Sequence, residues 1–466
     1  MSKIQNWVIE ETKTANFGDG RLNKRFGEIL NNFGGSPSKS IPSSMKSWSE
    51  TIAAYRFLNN ENVDATKVLS PHREATFARI KKEKIVLLPQ DTTEIDFTGR
   101  HPIQGMGYLT SENSHGFYLH ASIAITPERL CLGVVDMQTW AREKLGTRLE
   151  RDKKSIEAKE TYCWIKGYAA ANQIAKETPE TVVVSVADRE GDIYELLEKM
   201  PSAENKAYWL VRAKHDRNLM DEAGEGVQKK LKAAVRNANP IGEIEFNLPT
   251  GKIHIRSSKR PARTERTVKQ EVRVCEVWLS PTKKKQKEPV KINVIHCVEI
   301  NGPGNEKIEW FLITSYPVND AKTAIEVVNW YLCRWQIEVF FKILKSGCKV
   351  EELQFKTLQS TTNCVALYLI VAWRVLYLTL LGRNCPDLSC DVVFEENEWK
   401  SVYAIFKRKK PPETPPKLNE IILIIAKLGG FLGRKSDGYP GATVMWVGIQ
   451  RMRDFTIALE VFGDLK

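Results

Sequence analysis

The chain is poor in the residues that build soft metal sites and covalent scaffolds. Its 466 residues hold seven histidines, none spaced as a metal-binding pair, and nine cysteines, an odd number without paired spacing. That pattern excludes a disulfide framework and reads as reduced thiols in a cytosolic protein. The closest pair, Cys385 and Cys390, lacks CxxC spacing and a neighbouring His, so zinc is not expected. The opening MSKIQNWVIEE has no apolar segment of signal-peptide type. One apolar run, Val365 to Leu381, is long enough to suggest a membrane span, but Arg374 interrupts it near its middle. A buried Arg there carries an insertion cost of about 2.5–3.5 kcal/mol. No second run pairs with it, so the stretch reads as a core helix and no membrane partner is expected.

Positive charge, by contrast, is in excess. The chain carries 69 Lys and Arg against 57 Asp and Glu, a net charge of +12, which fits a polyanionic partner. The charge is also clustered. Arg21, Lys24 and Arg25 form one group, and Arg256, Lys259, Arg260, Arg263, Arg266, Lys269 and Arg273 a second. Lys283, Lys284, Lys285 and Lys287 form a third, and Lys407 to Lys410 a fourth. A single charge run is an ordinary solvated loop; four of them in one chain strengthen the electrostatic reading.

The stretch YLCRWQIEVFFKILK places Tyr331, Arg334, Glu338, Lys342 and Lys345 at steps of three, four, four and three residues. On a helix these share one face, with Ile337, Phe341 and Leu344 opposite. Glu338 and Lys342 also stand in the i,i+4 order that stabilises any exposed helix by roughly 0.2–0.5 kcal/mol, so the stripe alone is compatible with ordinary surface. Two upstream acids argue otherwise. KIVLLPQDTTEID reads as a strand running into Asp91, and TVVVSVADREGDIYELL as a fully buried strand stopping at Asp188, followed by a helix with Asp192 near its N-terminus. Carboxylates at the C-terminal ends of buried strands sit where open α/β sheets build their sites. Pro89 is expected to end the first strand at Leu88 or to bulge it, because proline removes a ladder hydrogen bond.

These residues resemble the DDE transposases of the insertion-sequence-four family, in the subgroup with a Y-(2)-R-(3)-E-(6)-K signature. Tyr331, Arg334, Glu338 and Lys345 meet that signature in full, and Asp91 in QDTT and Asp188 in ADREGDIY match the two Asp motifs in order. The resemblance runs from about Gly18 to the C-terminus. It implies a catalytic triad of Asp91, Asp188 and Glu338 that also ligates two Mg²⁺ or Mn²⁺ ions, with Asp91 bridging. Two such ions about 3.5–4 Å apart activate the attacking and leaving oxygens of a phosphodiester, and hard cations of this kind take carboxylate ligands. Glu94, Asp96, Glu190 and Asp192 are rival carboxylates, ranked lower because they fall beyond the strand ends or outside the family motif. Tyr331, Arg334, Lys342 and Lys345 are expected on DNA phosphates, where Arg offers a bidentate fork. Trp310 matches the position of a ring that stacks on a flipped base, which would suit second-strand cleavage through a DNA hairpin; a core Trp on a strand is its plain alternative. Arg212 and Lys214, in VRAKHDR, match a further DNA-facing run, with a solvated strand end as the alternative. Trp335 reads as packing.

The length suggests about three domains. Residues 1–70 read as a helical DNA-binding domain that includes Arg21, Lys24 and Arg25; residues 71–385 as an α/β, ribonuclease-H-like catalytic domain with a β-rich insertion at about 216–312; and residues 386–466 as a helical dimerisation domain. The order of three strands, a helix, a strand, a helix and a strand over residues 84–214 supports that fold. The function implied is a cut-and-paste transposase acting as a homodimer on double-stranded DNA, both the ends of its element and the target, in the prokaryotic cytoplasm. A nuclease of the same fold that does not join strands, and a DNA-end-binding regulator without catalysis, are the alternatives.

Overall fold

The computed structural model describes residues 4–144, 150, 153–204, 206–221, 225–248, 265–281, 289–303 and 307–463. Arg256, Lys259, Arg260, Arg263, the run from Lys283 to Lys287 and the expected strand GKIHIRSS lie outside the described residues. The chain opens with helices α1 (Asn6–Thr12), α2 (Gly20–Gly35), α3 (Ile41–Ser44), α4 (Trp48–Leu58) and α5 (Ala65–Ile80). Strands β1 (Ile85–Asp96), β2 (Gly107–Tyr108), β3 (His115–Ile125) and β4 (Cys131–Trp140) follow. Next come α6 (Tyr162–Glu177), β5 (Val182–Ala187), the single turn α7 (Tyr194–Leu197), β6 (Tyr208–Arg212), β7 (Asn218–Met220), β8 (Gly226–Lys230) and α8 (Leu231–Arg236). The long strands β9 (Pro240–Leu248), β10 (Arg266–Leu279), β11 (Val290–Glu299) and β12 (Glu309–Thr314) lead to α9 (Ala321–Cys333) and α10 (Trp335–Lys342). The chain closes with α11 (Leu358–Asn384), α12 (Glu396–Lys407), α13 (Leu418–Leu428) and α14 (Ala442–Phe462).

Helix starts follow the local chemistry. Asp19, Ser47, Asp64, Asp320 and Thr357 each accept a hydrogen bond from a first-turn backbone N–H of the helix they precede. Glu395 and Glu398 form a reciprocal capping box on α12.

Two compact units divide the chain: Met1–Ser155 with Trp335–Lys466, and Ile156–Arg334. In the first, β1 pairs antiparallel with β3, and β3 with β4. The odd-numbered residues of β3, Phe117 to Ile125, join the apolar core that α11 dominates. By length and a mean hydropathy of 2.1, α11 is apolar enough to cross a membrane, yet 89% of that window is buried within the protein. Arg374, itself buried, donates from Nη2 to Val393 O at 2.5 Å and lies over the Trp7 ring. This is the core helix that the interrupting Arg led us to expect. In the second unit β5 and β6 are parallel, and β6 pairs antiparallel with β12, from which the sheet runs on through β11, β10, β7 and β8, with β9 beside β10. The architecture is mixed α/β with helical flanks. No disulfide links any of the nine cysteines, all of them described.

Three local expectations are corrected. Pro89 neither ends nor bulges β1: the register from Leu87↔Ile125 to Gln90↔Ser122 continues without a shift, and the strand runs on to Asp96. Glu94 and Asp96 therefore lie within the strand rather than beyond it. The helix expected after Asp188 is present but only one turn long, α7, and a 3₁₀ turn, Arg189–Gly191, precedes it. Finally, Tyr331 to Lys345 is not one uniform helix with a single polar stripe. The Arg334 N–H closes a tight bond to Tyr331 O at 3.1 Å between α9 and α10, and Ile343–Gly347 is a π turn.

Candidate active site

Strand alternation decides how the first acid is presented. Asp91, Thr93 and Ile95 share one face of β1, while Gln90, Thr92, Glu94 and Asp96 share the other. Asp91 stands opposite Ala121 of β3, which belongs to the same core as Ile337 and Phe341 of α10. Asp91 is half-buried, and its Oδ1 accepts the Thr92 N–H at 2.8 Å. Glu338 is half-buried in the first turn of α10, so the first unit holds two of the three expected carboxylates on elements that pack together.

Glu94 is occupied differently. On the face opposite Asp91, its Oε1 accepts from Thr110 N at 2.9 Å and from the Tyr118 hydroxyl at 3.0 Å. The rival is thus set apart by strand face and by its partners, not by distance along the chain.

Lys345 is tethered. Its Nζ donates to Glu94 O at 2.9 Å and pairs with Glu351 at 2.9 Å, and Glu351 in turn accepts the Asp96 N–H at 3.1 Å. The pair clamps the π turn after α10 onto the end of β1. Glu351 carried no signal in the sequence. Because the pair is about one-third exposed, Glu351→Ala is expected to cost only about 1 kcal/mol, read as a shift in the urea unfolding midpoint. Lys342 is exposed on the outer side of α10, and Trp335, expected to pack, is 57% exposed.

In the second unit the buried strand β5 leads directly into Asp188, whose Oδ1 accepts the Glu190 N–H at 2.7 Å. Around it stands a cationic group. Tyr331 is buried rather than on a polar stripe, 6% exposed, with Trp310 edge-on at 5.9 Å. Burial pushes its phenol up; the Arg334 and Arg212 guanidiniums oppose this and the Asp188 charge adds to it. Burial in turn lowers Arg212, which hydrogen-bonds Tyr331 and feels the charges of Arg189 and Arg334. Arg189 is a member of this group that the sequence reading missed, although it adjoins Asp188. Trp310 stacks on Phe246 with centroids 5.3 Å apart, so one of its faces is already covered.

Glu190 has its carboxyl raised, first by burial and then by the Asp188 charge beside it. Asp192 is a structural anchor: its buried carboxylate accepts the backbone N–H groups of Lys214 and His215 at 2.7 and 2.8 Å and pairs with Arg217 at 2.5 Å. It thereby shapes the loop that presents exposed Lys214.

In the N-terminal helices, Arg21 is exposed and pairs with Asp19 at 3.0 Å, Arg25 pairs with Glu28 at 2.9 Å, and Lys24 is exposed.

Three carboxylates supply the hard oxygen donors that suit Mg²⁺ or Mn²⁺, and Asp91 and Asp188 are each oriented by a nearby backbone N–H. Among the described residues, no group of three or more His, Cys, Asp or Glu stands close enough together to hold a metal ion. Asp91 and Glu338 belong to the first unit and Asp188 to the second.

Three family models match the chain in order: a transposase DNA-binding domain over residues 4–63, a transposase DDE domain over 165–374, and a Tn5 transposase dimerisation domain over 370–460. The chain is therefore a DNA transposase of the DDE class, a domain type with a ribonuclease-H-like core. The flanking matches make it more particular: it is related to the Tn5 transposase, with DNA as partner and a dimer-forming region. Asp188 and the residues from Trp310 to Lys345 fall inside the DDE match, whereas Asp91 falls between the first two matches. Among solved structures, a piggyBac transposase synaptic complex with hairpin DNA aligns over 85% of this chain and 86% of that one, at 11% identity. Its TM-score of 0.32 is too low to bear on the fold.

Proposed function

We propose that this transposase works by cut-and-paste: it binds the terminal inverted repeats of its element, frees the ends by phosphodiester hydrolysis and transesterification, and joins the 3' ends to target DNA. The reading places it within the Y-R-E-K signature subgroup and in the prokaryotic cytoplasm, at the nucleoid. The observation that carries it is the group at the end of β5. There a carboxylate suited to a cation, Asp188, lies within electrostatic reach of Tyr331, whose hydroxyl is held by guanidiniums suited to a phosphate, Arg212 and Arg334.

Asp91, Asp188 and Glu338 would hold two Mg²⁺ or Mn²⁺ ions, which when bound polarise the attacking and leaving oxygens. Arg334 and Arg212 would fix the phosphate and exposed Lys342 would add a point charge, while Lys345, paired with Glu351 and bonded to the Glu94 carbonyl, keeps the end of α10 on β1. Trp310, half-buried between Phe246 and Tyr331, is the ring we assign to an unstacked base on a hairpin route for the second strand. The match to a Tn5 transposase dimerisation domain over residues 370–460 supports self-association as a homodimer.

Incubating the protein with pre-cut element ends, supercoiled plasmid and Mg²⁺ tests the reading. Plasmid carrying joined ends is the expected product. Cleavage activity on intact ends without any joined product would replace this reading with that of a nuclease.

A further inference from the structure

The acid on β1 is braced from the opposite face of its own strand. His120 of β3 stands directly across from Thr92 and is fully buried. Its Nδ1 lies 2.8 Å from Thr92 Oγ1 and its Nε2 2.9 Å from Gln90 Oε1, so one imidazole binds both neighbours of Asp91 in the sequence. With the Gln90 amide oxygen as acceptor, Nε2 carries the proton and Nδ1 accepts from the Thr92 hydroxyl. Burial pushes the His120 pKa down to about 3, so the ring stays neutral and the bridge keeps its polarity at working pH. The link continues to the acid itself, because the Thr92 N–H donates to Asp91 Oδ1 at 2.8 Å. Thr92 thus has its hydroxyl on His120 and its amide on the carboxylate.

We propose that His120 is a positioning residue for the transposase reaction, fixing the Asp91 carboxylate through Thr92 and Gln90. The inference rests on the reading of Asp91 as a metal ligand. A ligand whose supporting partner is lost typically binds metal about 10–100-fold more weakly.

The Thr92 variants carry the test, because emptying the buried imidazole site also disturbs the core. Thr92→Val keeps the side-chain shape and removes the hydroxyl; Thr92→Ser restores the hydroxyl. Mn²⁺ binding to the full chain on its end DNA is measured by calorimetric titration, with end binding followed by gel shift. Thr92→Val keeps the amide bonded to Asp91 and loses only its anchor to His120, so it is expected to weaken Mn²⁺ binding by roughly 10-fold, the low end for a lost outer-shell partner, with Thr92→Ser close to the parent and end binding unchanged in both. Parental Mn²⁺ affinity in Thr92→Val would overturn the proposal, and so would equal weakening in Thr92→Ser. Asp91→Asn separates the two readings: unchanged Mn²⁺ affinity in that variant would remove Asp91 as a ligand, whatever the Thr92 variants show.

Discussion

Glu338→Gln is expected to lower strand cleavage by about 10³-fold or more while leaving binding to the element's ends intact. The substitution keeps the shape of a half-buried side chain in the first turn of α10, so α10 has no reason to unfold. It removes the charge, and a neutral amide is a poor ligand for a hard divalent cation. Asp188→Asn and Asp91→Asn act by the same means and are expected to match it. Residues that work as a unit lose activity non-additively, so Asp188→Asn combined with Glu338→Gln should be scarcely worse than either alone. Asp192→Asn is the instructive contrast. Its carboxylate holds Arg217 and two backbone N–H groups in the interior, so the loss appears as instability of roughly 3–5 kcal/mol rather than as a pure defect of chemistry. A labelled end fragment with Mg²⁺ on a denaturing gel, beside a gel shift, reads both quantities. Cleavage surviving in Glu338→Gln would remove it from the triad.

The strands and the core helix were legible because their signals are local. An apolar run ending in Asp188 needs no partner to be recognised as a buried strand, and a single Arg in an apolar helix marks one that packs inside the protein. What escaped depends on register and on contacts distant in sequence. Pro89 looked like a strand breaker because the rule considers one residue, whereas the pairing of β1 with β3 holds on both sides of it. Tyr331 was placed on a polar stripe by helical spacing, but the surroundings of a phenol are set by Trp310 and Arg212, which arrive from other elements. His120 is one polar residue in the run GFYLHASIAI; only the register that sets it against Thr92 distinguishes a brace from an ordinary core histidine. Asp192 was a rival ligand by sequence, since nothing local shows that Arg217 and the turn at Lys214 close around it.

Glu11→Ala is expected to destabilise the protein by about 3–5 kcal/mol, because it strips the partner from two basic groups held in the interior of the first unit. Glu11, from α1, is 1% exposed and accepts from Arg79 Nη1 at 2.7 Å and from His72 Nδ1 at 2.5 Å. Arg79 also lies over the Trp373 ring at 4.6 Å and donates from Nε to Leu132 O, so α1, α5, β4 and α11 meet at this point. His72 Nε2 accepts the Val134 N–H at 2.9 Å, which fixes the neutral tautomer with the proton on Nδ1. Burial pushes Glu11 up, but His72 and Arg79 outweigh it and hold the carboxyl below its usual 4.5; burial lowers His72 below its usual 6.5 despite Glu11. Both shifts have the same consequence. The unfolded chain binds a proton at each group before the folded one does, so stability is lost as pH falls, beginning near 6.5 with His72 and continuing below 4.5 with Glu11. The urea midpoint should therefore drop between about pH 7.5 and about pH 5.5. His72→Asn removes the titrating ring and should flatten that part of the curve; an equally steep fall in the variant would show that the pH dependence originates elsewhere. Because α1 lies inside the DNA-binding match and β4 and α11 form the core beneath it, loosening this junction should also weaken binding to the element's ends before the core itself melts, a sequence that a gel shift across the same pH range resolves.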